Sequence, residues 1–288
     1  MKNNILKTIG NTPIINLKRY SPNKNIKIIA KLEGFNPTGS IKDRIAVFMI
    51  KEAIKFGQLK PTMEIIEATS GNTGISLSAI SNIFGYQFTA VMPDNVSVER
   101  RKIIQSYGGK LILTKSGKDV ITAKNIIRKF PNKYFFVDQF NNLNNVKANY
   151  LTLGNEIINQ IPNISHFVAG IGTSGTLVGV AKRLKEYNLK IKTIGLNPSP
   201  QTNIQGLRNL KIYKPTIFDE KNIDQIVNIK DESADFEMMK DLAENEGLSV
   251  GISSGAVLWE SIKLAKKLKE GKIVIIFPDR GDRYLSLL

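Results

Sequence analysis

The stretch Glu67-Ala-Thr-Ser-Gly-Asn-Thr-Gly74 constrains this chain more than any other. It follows a strand-like apolar run, Met63 to Ile66, and precedes a helix-like run, Ile75 to Phe84. A turn rich in glycine and hydroxyls at that place presents unpaired N–H groups at the positive end of a helix dipole. This makes a cradle for a phosphate or carboxylate. A second cradle of the same design is Gly170-Ile-Gly-Thr-Ser-Gly-Thr176. Two cradles point to two anionic groups held at once.

Short apolar runs alternate with helical patterns. Strands are expected near 27–32, 63–68, 87–92, 110–113, 134–137, 165–169, 192–196, 225–229 and 272–277. Helices are expected near 41–56, 73–84, 97–107, 118–129, 145–160, 175–187, 234–246 and 254–269. This alternation predicts an α/β chain with parallel sheets. The 288 residues suggest about two domains of ~150 residues. The polar stretch Phe140-Asn-Asn-Leu-Asn-Asn145 reads as the best break.

The composition removes several chemistries. There is no cysteine and one histidine, His166, which excludes thiolate nucleophiles and the usual zinc and triad sites. No metal is expected. No apolar run approaches the roughly 20 residues of a membrane span, and the N-terminus lacks a signal-peptide core. A soluble cytoplasmic protein is expected. The net charge of +16 is spread along the chain. Its densest run, Lys263 to Lys272, has apolar residues at helical spacing and reads as a solvated helix face rather than a nucleic-acid patch.

Within Asn36-Pro-Thr-Gly-Ser-Ile-Lys-Asp-Arg44, Ser40 and Asp43 have capping-box spacing and place Lys42 in a helix's first turn. A cation there opposes the dipole. Read alone, it is a tolerated surface lysine or one whose pKa is lowered for Schiff-base chemistry. Gly170, Gly172 and Gly175 match the dinucleotide fingerprint. The expected acidic residue some 20 positions on is absent, because the next strand ends in Asn197-Pro198. A smaller phosphorylated cofactor fits better. Gly251-Ile-Ser-Ser-Gly255 opens another helix, and Asp279-Arg-Gly-Asp-Arg-Tyr284 reads alone as a charged turn.

Together these motifs resemble the cysteine synthase (O-acetylserine sulfhydrylase) family of fold-type II pyridoxal-phosphate enzymes. The likeness runs from Thr8-Ile-Gly-Asn-Thr-Pro13 to the closing Asp279-Arg-Gly-Asp-Arg-Tyr-Leu-Ser286. Gly206-Leu-Arg208 and that closing segment are similar to the cysteine synthase B branch. The resemblance implies two doubly wound domains of the tryptophan synthase β-like architecture. The smaller would span 37–146, and the larger 1–36 plus 147–288. It implies pyridoxal 5'-phosphate as cofactor, a small amino-acid substrate and sulfide, and a homodimer.

By motif, Lys42 would carry the cofactor and move protons at the substrate Cα. Asn72 would bond the cofactor ring oxygen. Gly172, Thr173, Ser174, Gly175 and Thr176 would hold its phosphate, and Ser253 would face its pyridine nitrogen. Thr69, Ser70, Thr73 and Gln139 would bind the substrate carboxylate. The implied reaction is β-elimination and β-replacement through an aminoacrylate, making cysteine from O-acetylserine and sulfide. Two positions depart from the family. Asn209 stands where the B branch usually has a second arginine, which puts bulky anionic sulfur donors in doubt. Asp235 stands where a small alanine is usual. It is either a helix N-terminal charge or a base that turns the enzyme toward releasing sulfide from L-cysteine and adding water to give L-serine.

Overall fold

A computed structural model describes residues 5–69, 71–96, 98–202, 204–230 and 233–285. Among the described residues ten strands form two sheets. The larger runs in the order β1 (Ile14–Asn16), β2 (Ile26–Leu32), β10 (Gly271–Phe277), β7 (His166–Gly170), β8 (Lys192–Pro198), β9 (Gln225–Ile229). The smaller runs β5 (Lys110–Thr114), β4 (Phe88–Pro93), β3 (Glu64–Ala68), β6 (Tyr134–Phe136). Every pairing is parallel except β1 with β2. The result is the two-sheet α/β architecture expected, because parallel strands need helical crossovers on both faces.

The central strands read as near-continuous apolar runs because both faces are covered. On one face Ile28, Val168 and Ile275 pack with Val257 and Leu258 of helix α9 (Ile252–Ala265) and Met239 and Leu242 of α8 (Ser233–Glu246). On the other, Phe167 and Val274 pack with Leu177, Val180 and Leu184 of α7 (Gly175–Tyr187). The smaller sheet buries Ile65 and Phe88 against α1 (Lys42–Lys55) and α2 (Asn72–Ile83), and Ile66 and Val91 beside Ala123 of α4 (Asp119–Lys129). Helix α3 (Val98–Ser106) adds Ile104 to that core.

Two expectations are corrected. The expected helix at 145–160 is three pieces: α5 (Leu143–Asn149), a π turn at Tyr150–Gly154, and α6 (Asn155–Gln160). α7 crosses it closely. A Cβ on Gly179 would stand 2.4 Å from the Val146 carbonyl, and one on Gly154 would stand 2.8 Å from the Arg183 Cβ. The wide turn falls between these two approaches. Strand β1 was not expected, since three residues after Pro13 on a sheet edge give too short a pattern.

A buried ionic group ties the start of α1 to the larger sheet. Arg44 bonds Glu33 (2.6 Å) and Glu156 (2.6 Å), and Lys31 bonds Glu156 (2.8 Å). Glu33, Arg44 and Lys31 are buried, and Glu156 is 14% exposed. Burial raises the Glu156 pKa, but Arg44 and Lys31 outweigh it and hold the carboxyl at about 2, against 4.5 ordinarily. A depressed carboxyl stabilises the fold above its unfolded pKa and loses that contribution as pH falls through the folded one. The shift corresponds to about 3 kcal/mol, lost between roughly pH 4.5 and 2. Glu156→Gln is expected to lower stability at neutral pH by a similar amount and to flatten this acid limb. Urea unfolding as a function of pH checks it.

Candidate active site

The carboxyl ends of β3, β7 and β10 face one cavity of about 460 Å³. Lys42 reaches it because the loop before α1 is stapled to the end of β10. The Ile41 N–H donates to the Pro278 carbonyl (2.8 Å), Ser40 bridges to Asp279, and the Arg280 N–H donates to the Gly39 carbonyl (3.3 Å). The capping arrangement differs from the simple box. Ser40 Oγ accepts the Lys42 N–H at 3.3 Å, while the Asp43 carboxylate turns back to the Thr38 N–H at 2.8 Å. Asp43 therefore fixes the Thr38–Ser40 turn. Burial lowers the Lys42 pKa from its ordinary value, and the Asp279 carboxylate pulls it back only in part. A lysine easily made neutral, on a cavity wall, is suited to Schiff-base and proton-transfer chemistry.

The first cradle lies where β3 gives way to α2. Thr69, Asn72 and Thr73 line the cavity there, and Gln139 joins them from the segment after β6. Thr73 Oγ donates to Gln139 Oε1 at 2.6 Å. Ser70, the fourth expected carboxylate ligand, lies outside the described residues. Asn72 is held at both ends of its amide. Its Nδ2 donates to Asp279 Oδ2 (2.6 Å), and its Oδ1 accepts from Arg283. One Nδ2 hydrogen remains to point elsewhere.

The second cradle lies between β7 and α7. Gly172, Thr173, Ser174 and Thr176 line the cavity. Ser174 adopts a left-handed conformation with φ +69°, which turns the chain into the helix. Gly172 permits a close approach, since a Cβ there would stand 2.5 Å from the Gly206 carbonyl oxygen. Gly175 is not on the cavity wall; it packs against Asn145. Ser253, one residue into α9, lines the same cavity.

Asp235, like Gly175, is not among the cavity-lining residues. It lies in the first turn of α8 and is 0% exposed. Its backbone carbonyl packs where a Cβ on Gly255 would be only 2.0 Å away. That sets its backbone against α9 two residues beyond Ser253 on that helix.

Several residues were given no role in the site from the sequence. Asn145 is buried and joins the two cradles, donating to the Gln139 carbonyl (2.8 Å) and Thr173 Oγ1 (3.0 Å). Asp279 is buried and also accepts from the Tyr284 hydroxyl (2.7 Å). Arg100 bonds Gln205 (2.5 Å) and lies 5.3 Å from the Tyr284 ring. Arg208 lies 4.6 Å from the Phe140 ring. Both arginines line the cavity. The asparagine-rich stretch around 145 gave a signal, but it reads equally as a polar linker.

Fold and site together define an α/β enzyme with a partly buried lysine and two anion cradles. The family model for pyridoxal-phosphate dependent enzymes matches residues 5–279. The chain is 44% identical to a cysteine synthase of Aquifex aeolicus over 98% of this chain and 90% of that one. It is 41% identical to cysteine synthase B of Escherichia coli, covering 97% and 93%. It is also similar to the crystal structure of a hydrogen sulfide-producing enzyme from Fusobacterium nucleatum, with TM-score 0.93 and 37% identity over 99% and 98% of the chains. The chain belongs to the pyridoxal-phosphate dependent enzyme family, and its cofactor is pyridoxal phosphate. The cavity fits that group: a lysine of lowered pKa stands on the same wall as a helix-start cradle backed by the Gly172–Gly206 approach.

Proposed function

We propose that the chain catalyses β-replacement of the cysteine synthase type, exchanging the activated β-substituent of an O-acetylserine-like amino acid for sulfide. The observation that carries this reading is the convergence of Lys42 and two separate helix-start cradles on one cavity. Pyridoxal phosphate, when bound, draws electron density from the substrate Cα, so that the Cα proton and then the β-substituent can leave.

In this reading the chain's own residues do the rest. Lys42 holds the cofactor through its Nζ and moves the proton at the substrate Cα. Gly172, Thr173, Ser174 and Thr176 hold the phosphate, with Gly175 packed against Asn145. Asn72, fixed by Asp279 and Arg283, turns its remaining hydrogen to the ring oxygen. Thr69, Ser70, Thr73 and Gln139 take the substrate carboxylate. Ser253, a hydroxyl rather than an acid, faces the pyridine nitrogen. A neutral partner there keeps the ring a weaker electron sink, which favours loss of a β-group over transamination. The division at 37–146, supported by the grouping of β3 to β6 in one sheet, puts the carboxylate cradle in the smaller domain and the phosphate cradle in the larger. A cytoplasmic homodimer belongs to the same reading. Among the described residues no helix is long and apolar enough to cross a membrane. Cysteine formation from O-acetyl-L-serine and sulfide by the purified holoenzyme is expected, and no cysteine above background contradicts the reading.

A second reading runs the chemistry from L-cysteine, releasing sulfide and adding water to give L-serine with Asp235 as base. The likeness to a hydrogen sulfide-producing enzyme supports it. Asp235 is buried and is not among the residues that line the cavity, which weighs against direct contact with the reacting atoms. Asp235→Asn separates the two. Under the second reading serine output from L-cysteine alone falls by ~10²-fold or more, the usual worth of a general base. Under the first it stays unchanged.

A further inference from the structure

The hydroxyls of the loop between β7 and α7 do not all point the same way. Ser174 Oγ donates to the Thr173 carbonyl at 2.5 Å, and Thr176 Oγ1 donates to Asn149 Oδ1 at 3.4 Å. Both spend their hydrogen on the chain itself. Thr173 Oγ1 instead accepts, from Asn145 Nδ2 at 3.0 Å. A hydroxyl that accepts from a neighbour has its own hydrogen left to give elsewhere. Thr173 is therefore the donor hydroxyl of this loop, and Asn145 makes it one.

The sense of that bond is fixed by chemistry. Asn145 is 1% exposed and lies on α5. Its amide meets the Gln139 carbonyl at 2.8 Å. A carbonyl can only accept, so the end of the amide that meets it is nitrogen. One hydrogen of that NH₂ goes to Gln139 and the other to Thr173. The oxygen end turns onto Gly175, where a Cβ would stand 2.0 Å from Oδ1. Gly175 thus leaves room for the amide. One turn further along α5, Asn149 Nδ2 donates to the Asn145 carbonyl at 2.9 Å, which leaves its Oδ1 for Thr176.

We propose that Asn145 is a positioning residue that couples the two cradles. With one buried NH₂ it leaves the Thr173 hydrogen free for the cofactor phosphate and pins the Gln139 segment that takes the substrate carboxylate. It rests on the reading above that Thr173 serves the phosphate and Gln139 the carboxylate. Each hydrogen of the amide then supports a different ligand, so loss of the side chain weakens both.

The test compares pyridoxal phosphate with pyridoxal, which lacks the phosphate, by equilibrium titration of the apoenzyme. Asn145→Ala is expected to weaken pyridoxal phosphate by about tenfold or more, the worth of a hydrogen bond to a charged group, and to leave pyridoxal within about twofold of wild type. Thr173→Val is expected to give the same selective loss. Adding Asn145→Ala to Thr173→Val is expected to cost pyridoxal phosphate no more, because both residues reach the phosphate through one hydroxyl. Asn145→Ser, whose hydroxyl is one bond shorter than the amide, is expected to give the same pattern and keeps the test decisive if the alanine variant folds poorly. In a second arm, acetate is added to each holoenzyme and followed by the cofactor's visible absorption. Asn145→Ala is expected to raise the acetate Kd by about threefold or more. Equal losses of pyridoxal and pyridoxal phosphate, additive losses in the double variant, or an unchanged acetate Kd overturn the proposal. A Thr173→Val variant with the wild-type preference for pyridoxal phosphate overturns it together with the placement of the phosphate in this loop. Neither arm needs turnover. An enzyme that shows the full pattern yet makes no cysteine would refute the proposed reaction and leave the Asn145 role standing.

Discussion

Lys42→Ala is expected to abolish turnover, lowering kcat by ~10³-fold or more. General acid–base help alone is typically worth 10²–10⁴-fold, and groups that act as a unit fail together. The fold is expected to survive, because Lys42 contributes none of the ionic bonds that anchor α1; those come from Arg44 and Lys31 to Glu33 and Glu156. Pyridoxal phosphate is expected to remain associated through the Gly172–Thr176 cradle. Steady-state assays beside thermal melts separate the two properties. A variant retaining a tenth of wild-type kcat would remove Lys42 from the chemistry.

Gly175→Val is expected to act through the cradle rather than the lysine. A Cβ at this position would stand 2.0 Å from Asn145 Oδ1, and Asn145 holds both Thr173 Oγ1 and the Gln139 carbonyl. Overpacking a close contact typically costs 1–3 kcal/mol, and here the displaced side chain also releases two hydrogen bonds. Cofactor affinity is expected to fall by ~10²-fold or more, with substrate binding weakened alongside it. Equilibrium titration of the apoenzyme with pyridoxal phosphate measures this. Wild-type affinity in Gly175→Val would show that the loop does not hold the phosphate.

The sequence made the α/β alternation legible because parallel, doubly covered strands such as Ile273–Phe277 leave apolar runs bounded by turn residues. Both cradles were legible for a related reason: a helix start after a strand needs glycine and hydroxyls in fixed order. The π turn at Tyr150–Gly154 was not, because it answers to the approach of α7, a contact distant in sequence. Asn145 illustrates the same limit. In the sequence it belongs to a polar break, yet folding buries it between Gln139 and Thr173. Asp279 looked like part of a charged turn. Its partners Asn72 and Tyr284 meet it only because the end of β10 is stapled to the loop before Lys42. Burial of Asp235 was equally beyond reach, since its register names the position but not the depth to which α8 packs against α9.

The most direct test of the account is the covalent address of the cofactor. Borohydride reduction of the holoenzyme, followed by proteolysis and mass spectrometry, fixes the pyridoxyl group on the residue that carries it. The account predicts one modified peptide, with the added mass on Lys42. Modification of another lysine, or a cofactor that cannot be trapped on any lysine, would contradict it.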